Sequence, residues 1–114
     1  MTTIYKICDR AAWREAERSR LYDGSDADRR DGFIHFSTAD QLSGTAAKHF
    51  AGQADLMLVA VDSDRLGPAL KWEPSRGGEL FPHLYGRLSL DAVCWARPLP
   101  NEIGGKRELP ELQP

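Results

Sequence analysis

Two short blocks of this sequence carry side chains able to do chemistry near neutral pH. One is Gly32-Phe-Ile-His-Phe-Ser-Thr38 and the other is Phe81-Pro-His-Leu-Tyr-Gly86. Imidazole titrates nearest neutrality of all side chains, so each block offers a group that can move a proton or hold a polar ligand. In an extended strand, successive side chains point to opposite faces. Phe33, His35 and Ser37 then share one face, with Ile34 and Phe36 turned to the core. If the second block is also extended, Phe81, His83 and Tyr85 form a ring–imidazole–ring stripe. Two such stripes can line one cleft. The other arrangement is two separate packing clusters, with each histidine bonded to backbone.

The segment Trp72-Glu-Pro-Ser-Arg-Gly-Gly-Glu79 leads into the second block. Glycines leave backbone N–H groups free to meet an anion, and Arg76 adds a guanidinium suited to phosphate. Glu73 and Glu79 flank this loop as candidate carboxylates. No H-x-x-x-H or H-E-x-x-H pattern supports a metal centre, so none is expected. A metal-dependent hydrolase built from His35, His83 and a carboxylate stays open as an alternative. Serine hydrolysis lacks its Gly-x-Ser-x-Gly turn. His49 is expected to be a partly buried helical residue.

The elements that must position these blocks can be read from the chain. Ile4 to Cys8 is an opening strand, and Asp9 is placed to cap a helix from Arg10 to about Leu21. Residues 22–31 read as a polar loop. Phe33 to Ser37 is the next strand. Thr38 and Gln41 form a capping box that starts a helix bearing Leu42, Ala46 and Phe50, ended by Gly52. Leu56 to Val61 is a continuous apolar run, expected as a central strand. Residues 62–68 form a turn. Strands follow at 69–73 and 92–96, and Pro82 predicts an edge or irregular strand for the second block. The order suits an α+β domain of small mixed or antiparallel sheets with two helices, spanning residues 1–97. Residues 98–114 hold several prolines and read as a loosely attached tail.

Composition narrows the partners. A chain of 114 residues fits one domain. Its formal net charge of -2 argues against general nucleic-acid binding and against a membrane surface, both of which favour a basic face. No apolar run approaches a membrane span and the N-terminus lacks a signal-type apolar region, so the expected compartment is cytoplasmic. Cys8 and Cys94 match no zinc spacing and are expected to be buried core residues.

The combination of Ile4-Tyr-Lys-Ile7, Trp13, Asp31-Gly-Phe-Ile-His-Phe-Ser-Thr38, Trp72-Glu73 and Phe81-Pro-His-Leu-Tyr-Gly86 resembles domain of unknown function family 952. That family is similar in fold to the ADP-ribosyltransferase group, which binds NAD in a cleft between two small antiparallel sheets. The resemblance implies NAD as a possible substrate, with Phe36-Ser-Thr38 along the nicotinamide pocket. It implies His35 and Ser37 on ribose hydroxyls, and Tyr85 or Phe81 stacked on the leaving ring. His83 would orient substrate or move a proton, Arg76 would meet phosphate, and Glu73 or Glu79 would stabilise charge on the sugar. The expectation is a small-molecule or nucleotide ligand, handled by ADP-ribosyl transfer or NAD hydrolysis. A non-catalytic ligand-binding module is the other reading.

Overall fold

A computed structural model describes residues 2–112. Residue 1 of the expected domain and residues 113 and 114 of the expected tail lie outside the described residues. The described residues form three small antiparallel sheets with few helices, an α+β arrangement.

The first sheet holds β1 (Thr3–Asp9), β4 (Leu56–Asp62) and β8 (Val93–Pro98), with β4 in the middle. The apolar run at 56–61 is central because both its faces are covered. Ile4, Cys8, Val59 and Val61 face Trp13 and Ala16 of α1 (Arg10–Ser19). Tyr5, Ile7, Leu58 and Ala60 face Leu42 and Ala46 of α3 (Ala39–His49). Burying these side chains on both faces is the main favourable term for a domain of this size.

The second sheet runs β3 (Ile34–His35), β6 (Leu80–Leu84), β5 (Leu70–Pro74). It joins the first through a two-hydrogen-bond bridge between Tyr5 and Ser37. The smallest sheet pairs β2 (Leu21–Tyr22) with β7 (Leu88–Ser89).

Several expectations change here. Pro82 lies in the middle strand of its sheet, not at an edge. The Phe36 N–H donates to the Pro82 carbonyl, so the Pro82 nitrogen also faces β3. The missing donor falls where β3 ends, which keeps that strand short and spares the ladder to β5. The polar loop at 22–31 contains a third helix, α2 (Asp26–Asp31), started by a Ser25/Asp28 capping box. Asp9 precedes α1 without a side-chain capping bond. The helix after Thr38 ends before Gly52, at a Phe50 cap. Cys8 is buried but Cys94 is exposed, and His49 is exposed as well. The segment after Pro98 is tied to the body: Leu99 is buried beside Leu109 and Leu112. There the Arg107 guanidinium donates to the carbonyls of Pro100, Phe50 and Gln53, which offsets the low apolar content.

Candidate functional site

β-pairing sets His35 directly opposite His83. Directly opposed residues in antiparallel strands share a face, so both imidazoles rise from the same side of the sheet. Phe33 sits among them. Its ring stacks on His83 at 4.0 Å between centroids, and lies 4.6 Å from His35 and 5.2 Å from Tyr85. The two imidazoles are 5.6 Å apart, edge to face. The alternation read from sequence therefore does bring Phe33, His35, His83 and Tyr85 together.

Each imidazole is held by a carboxylate. His83 Nδ1 lies 2.8 Å from Glu73 Oε1, and the Tyr85 hydroxyl donates to the same oxygen at 2.7 Å. A carboxylate only accepts, so His83 donates from Nδ1, and in the neutral ring Nε2 then carries the lone pair. Oε2 of Glu73 takes no hydrogen bond from the described residues. The Tyr85 hydroxyl and then His83 hold the Glu73 carboxyl below the usual carboxylate range, and the same bond pushes the Tyr85 hydroxyl up.

His35 is held by Asp28, which the sequence reading missed. His35 Nδ1 lies 2.6 Å from Asp28 Oδ1, and the His35 backbone N–H donates to that oxygen at 3.1 Å. His35 Nε2 lies 3.0 Å from Asp31 Oδ2. The doubly protonated ring satisfies both carboxylates at once, whereas the neutral ring satisfies one. Asp28 is only 2% exposed. Lys6 Nζ reaches its two oxygens at 2.9 and 2.7 Å, and the Ser25 N–H donates to Oδ2 at 2.9 Å. Burial by itself would push the Asp28 carboxyl up. The His35 hydrogen bond, the Lys6 charge and the Ser25 amide reverse this and hold it well below the usual range. Gly24 makes room for this carboxylate: a Cβ there would lie 2.8 Å from the Asp28 Cβ.

Two signals could have found this part of the site. Ser25-x-x-Asp28 is a capping-box pattern inside an apparently featureless loop. Lys6 interrupts a strand buried on both faces, and a buried ammonium requires a partner.

The remaining candidates gather elsewhere. Ser37 is buried and its hydroxyl pairs with Thr45 at 2.8 Å. Thr38 caps α3 and exchanges hydrogen bonds with Gln41. Arg76 lies over the Phe81 ring at 4.9 Å and donates to Thr45 Oγ1 and the Gln41 carbonyl, both at 3.3 Å. A side chain at Gly44 would collide with that guanidinium. Ser37, Thr38, Arg76 and Phe81 thus fasten α3 to the second sheet. Glu79 is exposed and makes no hydrogen bond to either imidazole. Among the described residues, no three His, Cys, Asp or Glu side chains gather as a metal ion would require. Nor is any helix among them long and apolar enough to cross a membrane.

The fold and site thus define a small α+β domain with two imidazole–carboxylate pairs closed around one phenylalanine. The chain belongs to the family described as a protein of unknown function, DUF952, which matches residues 7–96. It is similar to the crystal structure of CC0527 from Caulobacter crescentus, at 47% identity and a TM-score of 0.89 over 94% of each chain. The solution structure of CC0527 is 48% identical with a TM-score of 0.81, over 92% of this chain and 90% of that one. None of the curated proteins matches.

Proposed function

We propose that the paired-imidazole face binds a nicotinamide nucleotide of the NAD class and cleaves its nicotinamide–ribose bond, passing ADP-ribose to water or to an acceptor. The observation that carries this reading is Glu73. Its carboxylate is kept ionised by Tyr85 and His83, and both bonds fall on Oε1, so Oε2 is free for a developing positive charge. An anionic, positioned carboxylate is what an oxocarbenium-like transition state needs.

The step balances without a further co-reactant. The C1′–N bond breaks and its electron pair leaves with the ring nitrogen, giving neutral nicotinamide. Positive charge on C1′ and the ring oxygen is met by Glu73 Oε2. Water adds to C1′, and its proton passes to His83 Nε2 and then to solvent. Phe33 and Tyr85 offer aromatic faces to the leaving ring, and His35, about a third exposed, reaches a ribose hydroxyl once Nε2 exchanges its Asp31 partner for it. The resemblance read from the sequence, to a group with a cleft between two small antiparallel sheets, would favour a site on the β3-β6-β5 sheet beside β1.

Incubating the purified protein with NAD and measuring nicotinamide by chromatography tests the reading. Release that is lost in Glu73→Gln, with an unchanged melt, is the expected result. No NAD binding by calorimetry and no nicotinamide would overturn it. Binding with no release in the wild type would make the domain a ligand-binding module.

A further inference from the structure

Two surface depressions meet at the end of β6, the larger on the Leu84 face of the sheet, opposite the imidazoles, so a ligand joining them passes around the strand end at Gly86. The smaller, about 260 Å³, reaches Phe33 and Asp28. The larger, about 430 Å³, has an apolar floor of Leu66, Ala69, Leu84 and Ala92. Both are lined by Gly86 and Arg87, so that dipeptide forms the waist between them. Tyr85, the residue before the waist, belongs to the Phe33 cluster. The larger depression falls in the size range of small-molecule sites, and an apolar floor with a few polar groups at the rim is their usual composition.

The charges at the waist are arranged for exchange. Arg87 Nε pairs with Asp23 Oδ1 at 2.5 Å, and both side chains are more than half exposed. Arg65 lies on the rim of the larger depression with only a long 3.6 Å contact to Asp62. Asp91 is also on that rim, and Arg20 neutralises it at 3.3 Å. An exposed ion pair is weakly held. Asp23 holds Arg87 through one short contact and a second at 3.4 Å, whereas the pyrophosphate linking two nucleotide halves offers a bidentate acceptor with two negative charges against one.

We infer that the larger depression is the subsite for the distal, base-bearing half of a nucleotide, and that Arg87 clamps the linking phosphates after leaving Asp23. This rests on the nucleotide reading of the imidazole site and extends it: the apolar floor takes the planar base, and Phe33 and Tyr85 take the reacting half.

The full chain, labelled with nitrogen-15, can be titrated with AMP, nicotinamide mononucleotide and ADP-ribose while amide shifts are followed. AMP is expected to move the amides of Leu66, Ala69, Leu84 and Ala92, and nicotinamide mononucleotide those of Phe33 and Tyr85. ADP-ribose is expected to move the floor and the waist. Arg87→Gln should weaken ADP-ribose by about tenfold, the loss of one charged hydrogen-bonding group. Asp23→Asn should tighten it, because it removes the competitor for Arg87. A merely structural ion pair would give changes of the same sign from both substitutions, and that outcome overturns the clamp. If nicotinamide mononucleotide moves Phe33 and Tyr85 but neither AMP nor ADP-ribose moves the floor, the subsite is wrong and the imidazole reading survives. No shift with any of the three nucleotides removes both.

Discussion

Asp28–His35 and Glu73–His83 repeat one pairing on neighbouring strands, with their rings 5.6 Å apart. Their surroundings are opposite. Asp28 is buried, and Lys6, Ser25 and His35 occupy both of its oxygens. Glu73 has a side chain about a third exposed and shares one oxygen between two donors. The imidazoles invert this: His35 is the open ring and His83 the covered one. Each pair thus has one fixed member and one accessible member. In the first the carboxylate anchors and the imidazole meets solvent. In the second the imidazole anchors and the carboxylate meets solvent. Two identical pairs would offer two copies of one function. This arrangement offers an accessible imidazole and an accessible carboxylate side by side.

The largest expected effect breaks the first pair. Asp28→Asn leaves the Lys6 ammonium buried without its counter-ion, and losing one partner of a buried pair costs about 3–5 kcal/mol. Lys6→Met leaves Asp28 with His35 and Ser25, so its cost should be smaller, about 1–3 kcal/mol. Urea unfolding of the two variants measures both. If Asp28→Asn costs only the roughly 0.5 kcal/mol of a surface change, Asp28 is not the anchor.

Acid should act on the same pair more gently, because a proton neutralises Asp28 but leaves its oxygens in place. Its native carboxyl titrates below the ordinary range, so between the two values the unfolded chain binds the proton and the native chain does not. The stabilisation is complete above that range, about pH 4, and is lost as pH falls toward the depressed native value. Denaturation midpoints measured across this window should slope downward with acid in the wild type and slope less in Asp28→Asn. Equal slopes would remove Asp28 as a source of acid sensitivity.

The contrast between the pairs also explains which parts were legible in the sequence. Phe33, His35, His83 and Tyr85 were readable because strand alternation is a local rule that two short blocks obey. The first sheet was readable in its central strand, where a continuous apolar run needs cover on both faces. Asp28 was not readable in the same way, because a capping aspartate in a polar stretch looks like any solvated loop residue. Its burial depends on the close approach of Gly24 and on Lys6, which lies 22 residues away. Choosing between Glu73 and Glu79 needed the β5–β6 register, which sets Glu73 across from Phe81, two residues from His83 and on the same face. Ser37 was assigned to the wrong neighbours for a related reason. Alternation gives its face, but β3 has already ended there and Ser37 bridges to Tyr5 instead.

The smallest effect sharpens the second pair. Tyr85→Phe removes one donor from Glu73 Oε1 and leaves His83 in place. Tyr85 is the foremost cause of the low Glu73 titration, so the variant should move the Glu73 carboxyl upward, toward the ordinary value, with little change in the denaturation midpoint. A carbon-13 titration of the side-chain carboxyl reads this directly. The nicotinamide-release assay then adds a second readout: if Glu73 acts as a bare anion, the acid limb of activity should move upward in pH with the carboxyl. A carboxyl that moves while the limb stays put would assign the limb to another group. A carboxyl that does not move would mean that His83 alone holds Glu73, and that Tyr85 is there for its ring.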